Sequence, residues 1–472
     1  MSERAVIPVS MLLRAGRVKR WREGRGKPFY PPLDTPPSVR IAWRFLKWLL
    51  WRTARIKQVE IHGIENLKTI KHEAALITPN HPTNLDPLVI LALSKQINEP
   101  FNYVASRESF SVPVLGWILQ KCGAYSITRG MADRQSIKTT RHLLAQKRKK
   151  VVIFPEGLTY GQNDTLMPFH EGVVQFGFWA LEDMRKADSE RHPKSVDGDA
   201  ATPPSLDSGR GPVSEANWGE GSLDASQAPL LESVRGEGAS SILYILPVGI
   251  RYRYLRPMTH VIETSMARLE KHIGLTPPPD ATRYDRLREI GTSVVVEYER
   301  AYGVKPEKDD DLDARIQRMK EVWITRTAAS IGLTLREDQT MGDKIRQIVN
   351  ALDNMNAREE EPSKFTRQTF RRRQKETAEH YHDMERAGRF LAMGANYVSQ
   401  DPTDERYLEV ISRIEEELFG FSAPYGPRKA IVVVGDPIPL HDRPCDKTSL
   451  APLTRELESV IAELISEAST CS

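Results

Sequence analysis

A histidine and an aspartate five positions apart, His81 and Asp86, have residue types and a spacing that can do chemistry. They lie in the stretch NHPTNLDP, between an apolar run typical of a strand and an apolar run typical of a helix. A neutral imidazole can take a proton from a hydroxyl nucleophile when a carboxylate holds its other ring nitrogen in the right tautomer. The alternative interpretation is structural: Asp86 followed by Pro87 is a good helix start with Asp86 as N-cap, and His81 is then an ordinary turn residue.

Three further short clusters come at the ends of predicted strands, where the sites of α/β sheets collect. They are GAYSITRG, which contains Gly123 and Arg129, then FPEG at residues 154–157, and ILPVGI, which contains Pro247. Each also has a structural interpretation, since Arg129 can be a solvated charge, Glu156 a helix cap and Pro247 a strand end. The four clusters in this order and with these spacings favour one shared site over four unrelated structural roles.

Together the clusters resemble the motifs of the glycerolipid acyltransferases of the lysophosphatidate and glycerol-3-phosphate type. The family's NHxxxxD, GxxxIxR, FPEG and proline-bearing strand blocks read here NHPTNLD, GAYSITR, FPEG and ILPV. The late VVVGDPI is also similar to the closing strand segment of that family. The resemblance covers residues 58–185, 241–256 and 428–440, and it implies an acyltransferase similar to 1-acylglycerol-3-phosphate O-acyltransferases.

The resemblance implies that His81 is a general base for the acceptor hydroxyl and that Asp86 orients it. It also implies that Arg129 grips an acceptor phosphate and that Glu156 and Gly157 hold the glycerol backbone. The substrate-binding residues that it implies are Asn80, Gly123, Arg129, Phe154, Pro155, Glu156 and Gly157. The acyl group would pass directly from a thioester donor, acyl-CoA or acyl-carrier protein, with no acyl-enzyme, no metal and no further cofactor.

The chain departs from the family pattern after FPEG. Many members continue there with Thr and Arg and later carry Phe-Lys, whereas this chain has Leu158-Thr159 and Phe169-His170. Two cationic positions are therefore missing, which weakens the expectation of a phosphate-bearing acceptor more than that of acyl transfer. Another lysolipid acceptor and a non-catalytic, lipid-binding scaffold stay open as alternatives.

Strand and helix patterns alternate from residue 58 onward, which predicts an α/β fold with a mixed, mostly parallel sheet flanked by helices. The predicted organisation is a basic arm and interfacial amphipathic helix at 1–57, a first core part at 58–185, a disordered insertion at 186–240, a core strand at 241–256, a helical insertion at 257–427, and a closing strand with a C-terminal helix at 428–472. The first insertion is predicted to be disordered because it is rich in Ser, Asp, Gly, Pro and Ala and poor in large apolar residues. The late strand needs a sheet to join, so we expect it to complete the acyltransferase core.

Composition and charge narrow the class of protein. The 472 residues are 40 % hydrophobic and 28 % charged, as in a soluble or peripheral globular protein. The net charge of +4 is concentrated at residues 1–57, which carry fourteen Lys and Arg and three acidic residues. This arm has no nucleic-acid-binding signature, so nucleic acid is not an expected partner. The three cysteines have no metal or redox spacing, and no signal-peptide pattern is present, so a reducing, cytoplasmic location is expected.

Residues 39–57 form the nearest candidate for a membrane contact. They are too short and too charged to reach the roughly twenty apolar residues that span a bilayer. Their tryptophans, Trp43, Trp48 and Trp51, interleave with arginines and lysines, a composition typical of a helix lying in a membrane interface. The alternative is an amphipathic helix packed on the core. We expect a protein peripheral on the cytoplasmic face, with the bilayer surface, an acyl thioester and a lysolipid or glycerol phosphate as partners.

Overall fold

A computed structural model of the protein describes residues 29–33, 36–110, 112–128, 133–146, 148–159, 161–191, 241–355, 364–391, 394 and 396–471. Most of the predicted basic arm lies outside these residues, as does Arg129. The predicted disordered insertion at 186–240 also lies outside them, except that its first six residues, 186–191, are the end of a helix. For residues 192–240, disorder stays a prediction.

An eight-stranded sheet lies at the centre of the described structure. Its strands are β1 (Ile56–His62), β2 (Ala74–Pro79), β3 (Asn102–Ser106), β4 (Ala124–Ile127), β5 (Lys150–Val152), β6 (Leu243–Tyr254), β7 (Arg428–Val434) and β8 (Ile438–Pro439). The order across the sheet is β1-β7-β6-β2-β5-β3-β4, with β8 beside β6. The pairs β6–β7 and β6–β8 are antiparallel and the other five pairs are parallel. The predicted fold class, a mixed and mostly parallel sheet flanked by helices, is confirmed.

Helices cover both faces of this sheet. They are α1 (Pro36–Ala54), α2 (Ile64–Thr69), α3 (Asp86–Ile97), α4 (Pro113–Lys121), α5 (Arg134–Leu144), α6 (Gly172–Arg191) and α14 (Lys447–Thr470). Strand β2 shows why two layers form: Ile77 packs with α1 and α3, whereas its neighbour Leu76 packs on the opposite face with α6 and α14. Successive side chains of a strand point to opposite faces, so a strand that is apolar throughout must be covered twice.

A group of helices separates β6 from β7 in the sequence. Its members are α7 (Thr259–Ile273), α8 (Arg283–Tyr302), α9 (Leu312–Ser330), α10 (Met341–Met355), α11 (Lys364–Arg389), α12 (Tyr397–Gln400) and α13 (Asp404–Phe419). They bury a core of their own that includes Trp323, Ile348 and Ile411. We call this group the helical segment. The strand that follows it, β7, enters the sheet between β1 and β6.

Helix α1 buries one side and exposes the other. Val39, Trp43, Leu46, Leu50 and Ala54 face the core, and the Trp43 indole N–H donates to Ser94 Oγ at 2.9 Å. Trp48 and Trp51 are exposed. Trp43, one of the three tryptophans on which the interfacial interpretation depends, therefore faces the core instead, four residues after Val39 and seven before Leu50. Among the described helices, none is both long and apolar enough to cross a membrane.

Candidate active site

The loops that follow β2 and β5 meet at one edge of the sheet. The two strands are parallel neighbours, with Ile77 opposite Val152, and the Ile153 N–H donates to Ile77 O at 3.0 Å. Because parallel strands end at the same edge, the residues after Pro79 and after Val152 are brought side by side. This pairing is what places the NHPTNLD and FPEG motifs together.

His81 and Asp86 form a hydrogen-bonded pair in the turn after β2. His81 Nδ1 lies 2.8 Å from Asp86 Oδ2, and the Asp86 side chain is fully buried while that of His81 is 16 % exposed. A carboxylate can only accept, so Nδ1 is the donor in this pair, and in a neutral imidazole the other ring nitrogen, Nε2, is then the acceptor. The turn therefore holds an imidazole in the tautomer that a general base needs.

Asp86 is fixed by three donors besides His81. The Thr83 N–H donates to Oδ2 at 2.8 Å, the Thr83 hydroxyl donates to Oδ1 at 2.6 Å, and the Tyr252 hydroxyl also donates to Oδ1. Helix α3 begins at Asp86 itself, and its N-cap residue is Leu85, which makes no side-chain capping bond. The structural alternative of Asp86 as an N-cap is thus not what the structure contains. Its carboxylate faces back into the turn.

Tyr252, on β6, is a site residue that the sequence does not single out. Its burial and the nearby Asp86 charge raise the pKa of its phenol well above the usual value, so the hydroxyl keeps its proton and acts as a donor. The Asn163 side chain forms two hydrogen bonds with the backbone of Tyr252: it accepts from the N–H and donates to the C=O, both at 2.6 Å. The alternation in IRYRY places Tyr252 on the face of Ile250, but no local signal links it to Asp86.

Asn80 holds the β2 turn to the same strand. Its amide nitrogen donates to Ile250 O at 3.0 Å, and its amide oxygen accepts from the Ile250 N–H at 2.6 Å. Both polar ends of this buried side chain are used on the backbone of β6. Asn80 therefore holds β6 next to His81, and its predicted contact with substrate stays a prediction.

The FPEG residues contact His81 from the other side. The Phe154 ring stacks on the His81 ring with centroids 4.0 Å apart and planes 23° apart. Glu156 Oε1 accepts from the His81 N–H at 2.7 Å, and Oε2 accepts from the Met167 N–H at 3.2 Å. Burial raises the pKa of Glu156 to about 7, against the opposing effect of these two N–H donors. The motif thus clamps both the ring and the backbone of the candidate base.

Gly157, Pro155 and Gly123 shape the surrounding loops. Gly157 has a φ of +71°, and a Cβ there would lie 3.0 Å from the His170 ring, so this turn requires glycine. Pro155 O accepts from the His170 N–H at 3.0 Å. Gly123, with a φ of +86°, forms the turn before β4, where its C=O accepts from Asn102 Nδ2 at 3.0 Å. None of the contacts described for Gly123 reaches His81, and Arg129 lies outside the described residues.

The comparisons with known proteins agree with this arrangement. A family model described as Acyltransferase matches residues 58–177, which include both the His81 turn and the FPEG loop. We call the matched residues, 58–177, the acyltransferase domain. The match spans β1 to β5 and the start of α6, so the acyltransferase domain is continued in space by β6 and β7 from beyond the matched range.

Two curated relatives are similar to the acyltransferase domain. A 1-acyl-sn-glycerol-3-phosphate acyltransferase of Streptococcus pneumoniae is 26 % identical over 96 residues, which are 20 % of this chain and 35 % of that protein. A protein of the same name from Chlamydomonas reinhardtii is 31 % identical over 124 residues, 25 % of this chain and 35 % of that protein. The chain spans about a third of the length of each relative. By name, both belong to the glycerolipid enzymes that the motifs resemble.

Proposed function

We propose that the protein transfers a fatty acyl group from a thioester donor, acyl-CoA or acyl-carrier protein, to a hydroxyl of lysophosphatidate or glycerol 3-phosphate. The observation that carries this proposal is the 2.8 Å contact between His81 Nδ1 and a fully buried Asp86 whose carboxylate receives four donors. The names of the matched relatives favour this acceptor class.

The proposed reaction is a direct displacement at the thioester carbonyl. His81 Nε2 takes the proton of the acceptor hydroxyl as its oxygen attacks the carbonyl carbon. The C–S bond then breaks, and the imidazolium returns the proton to the leaving thiolate, so that an ester and a free thiol result. Asp86 accepts the hydrogen bond from Nδ1 and thereby stabilises the imidazolium that forms in between.

We further propose that the reaction takes place at a membrane surface. On α1 the exposed side carries Ile41, Phe45, Trp48 and Trp51 among the exposed bases Arg40, Arg44 and Lys47. On α4 the apolar residues Val114, Trp117 and Ile118 are exposed, Val114 by 70 %. We call these exposed apolar residues of α1 and α4 the interfacial surface. Apolar side chains beside basic ones favour adsorption to an anionic lipid surface.

The two parts of the interfacial surface are joined to each other and to the site. The Leu33 N–H, just before α1, donates to Gln120 O on α4 at 2.9 Å, and Gln120 Nε2 donates to Pro31 O at 2.6 Å. On its buried side, α1 packs on α3, whose first residue is Asp86. The helix proposed to lie on the bilayer therefore packs against the helix that begins at Asp86.

The test is an assay of purified protein with labelled palmitoyl-CoA and a panel of acceptors, with the products separated by mass. His81→Ala should lower the rate by about 10²–10⁴-fold. Asp86→Asn should also lower the rate strongly, since an amide cannot stabilise the imidazolium as a carboxylate does. Transfer that survives both substitutions would contradict the base, and no transfer to any acceptor would favour the lipid-binding scaffold.

A further inference from the structure

An arginine of the helical segment reaches the acyltransferase domain at the FPEG loop. Arg346, on α10, donates from Nη1 to Glu156 O at 3.0 Å and from Nη2 to Asp343 Oδ1 at 2.7 Å. Its side chain is 14 % exposed. Glu156 therefore contacts His81 through its carboxylate and Arg346 through its backbone carbonyl, so that one residue links the candidate base and the arginine.

Apart from the Asp343 carboxylate, the groups described next to this arginine are small or neutral. A Cβ on Gly157 would lie 3.5 Å from Arg346 Nη1 and 3.0 Å from His170 Nε2. Burial lowers the pKa of His170 to about 4, helped by the positive charge of Arg346, so His170 is neutral at physiological pH. The Thr159 hydroxyl donates to Asn84 Oδ1 at 2.6 Å. Arg346 is thus the group that carries a positive charge beside Gly157, because a guanidinium stays protonated.

The positive charge of Arg346 lies near the two motif positions at which this chain lacks the usual cation. The two motif positions without their usual cation, Thr159 and His170, belong to the same loop region that Arg346 contacts. The bonds to Glu156 O and Asp343 use two of the five N–H groups of the guanidinium. Its planar fork suits a phosphate, which accepts two N–H bonds at once.

We propose that Arg346 binds the phosphate monoester of the acceptor, so that the helical segment supplies one wall of the acceptor site. The inference rests on the proposed function and adds to it the residue that binds the phosphate of the acceptor. Free glycerol 3-phosphate and membrane-borne lysophosphatidate present the same group. The helical segment then belongs to the substrate site and is more than an addition to the sheet.

The experiment compares Arg346→Gln and Arg346→Lys with Arg300→Gln. Arg300 is a matched control because it also lies in the helical segment and pairs with a carboxylate three residues away on its own helix, Glu297 at 2.9 Å. Each protein is assayed with glycerol 3-phosphate, with lysophosphatidate in vesicles and with neutral monoacylglycerol. Binding of glycerol 3-phosphate without an acyl donor is measured by calorimetry.

We expect Arg346→Gln to raise the KM for phosphate-bearing acceptors roughly ten- to a hundredfold, the usual loss for a hydrogen bond to a charged group. Arg346→Lys should recover part of this loss, because the charge remains while the fork is lost. The KM for the acyl donor should stay close to that of Arg300→Gln. The wild-type preference between glycerol 3-phosphate and lysophosphatidate vesicles then identifies the source of the phosphate.

Three results would overturn the inference. An unchanged KM for phosphate acceptors would do so, and so would an equal loss for all acceptors and the donor together with a lower melting temperature, which is the signature of a purely structural anchor. A wild-type protein that transfers no acyl group would refute the proposed function alone. In that case, the phosphate site would still be supported if calorimetry shows that the wild type binds glycerol 3-phosphate and Arg346→Gln does not. If the wild type does not bind glycerol 3-phosphate, the phosphate site is refuted.

Discussion

The carboxylate of Glu156 accepts a hydrogen bond from the backbone N–H of His81 over 2.7 Å. The FPEG loop therefore fixes the main chain of the candidate base, while Phe154 stacks on its ring. A histidine held at both its backbone and its side chain loses little further freedom when substrate binds. Such positioning is a large part of what an activated thioester needs, since its carbonyl already reacts readily with an oriented nucleophile.

The first prediction concerns Tyr252, whose hydroxyl donates to Asp86. Tyr252→Phe should lower the free energy of unfolding by about 1.5–3 kcal/mol, the range for a hydrogen bond to a charged group. It should also lower kcat, because the Asp86 carboxylate loses one of the bonds that fix it beneath the imidazole. Chemical denaturation and steady-state assays measure the two effects. Tyr244→Phe, on the same strand but packed against His441, is the control. Equal kcat and stability for the two variants would refute a role for the phenol.

The second prediction concerns the pH dependence of stability at Glu156. Burial raises the pKa of this carboxyl from 4.5 to about 7 in the folded protein. The folded state then holds the proton more tightly than the unfolded chain, so stability from Glu156 is present below pH 4.5 and is lost as the pH rises to about 7. Glu156→Gln removes this titration. Over that interval the wild type should lose more stability than the variant, as measured by melting temperature.

His170 makes the comparison with a variant necessary. Its pKa is lowered from 6.5 to about 4, so it contributes stability that is gained as the pH rises through the same interval, the opposite slope. The difference between wild type and Glu156→Gln cancels this contribution. Glu182→Gln, an exposed residue paired with Lys186, provides the baseline. Curves of wild type and Glu156→Gln that run parallel would show that Glu156 ionises at the same pH in the folded and unfolded states.

The pairing of His81 with Asp86 could be predicted because it is local. Both residues lie in one turn, and five positions of chain bring them together whatever the remaining fold does. The meeting of this turn with FPEG was expected only in general terms, because sites in α/β sheets collect at the carboxyl ends of strands. That β2 pairs with β5 is what the structure adds.

Contacts between distant segments could not be predicted in this way. Tyr252 is 166 residues from Asp86, and Arg346 is 190 residues from Glu156. Neither belongs to a pattern that a short stretch of sequence displays. Trp43 shows a different limit: the composition of α1 fits a membrane interface, but which tryptophan faces the core depends on the docking of α1 against α3, which only the tertiary structure supplies.

The third prediction concerns the interfacial surface. A double variant, Trp48→Ser with Trp117→Ser, should be released from phosphatidylglycerol vesicles at moderate salt, where the wild type is retained. Salt screens the attraction between the basic residues and the anionic lipid. The two indoles contribute much of the apolar part of the binding free energy, which salt does not screen. Vesicle co-sedimentation measures the bound fraction, and circular dichroism checks the fold.

Two further variants sharpen this test. Phe421→Ser removes an exposed aromatic residue, 45 % accessible, from outside α1 and α4 and should sediment as the wild type does. Trp43→Ser should instead destabilise the protein by about 3–5 kcal/mol, as expected for removal of a large buried side chain. Equal sedimentation of the wild type and the folded double variant would place the membrane contact elsewhere.

The fourth prediction concerns residues 192–240, between α6 and β6. The described residues on either side are close together, since Ser241 Oγ donates to Asp188 Oδ2 at 2.6 Å. A short Gly-Ser linker can therefore replace 192–240, and we expect melting temperature and kcat near those of the wild type. Closing a shorter loop changes the entropy slowly, by about 0.6 kcal/mol for each doubling of length. Insoluble or inactive protein would show that these residues contribute to the fold.

The place of β7 in the sheet dictates the order in which the protein can be completed during synthesis. In the described structure β1 pairs with β7 alone, with Ile56 opposite Arg428, and β7 then pairs with β6. At a synthesis rate of roughly 5–20 residues per second, on the order of 20–70 seconds pass between the synthesis of β1 and that of β7. During that time β1, and the open edge of β6 once β6 is made, are exposed to pairing with other chains. The helical segment, with its own core, can fold while the sheet is still open, so that β7 then fills the gap between β1 and β6 and ends the exposure of both edges.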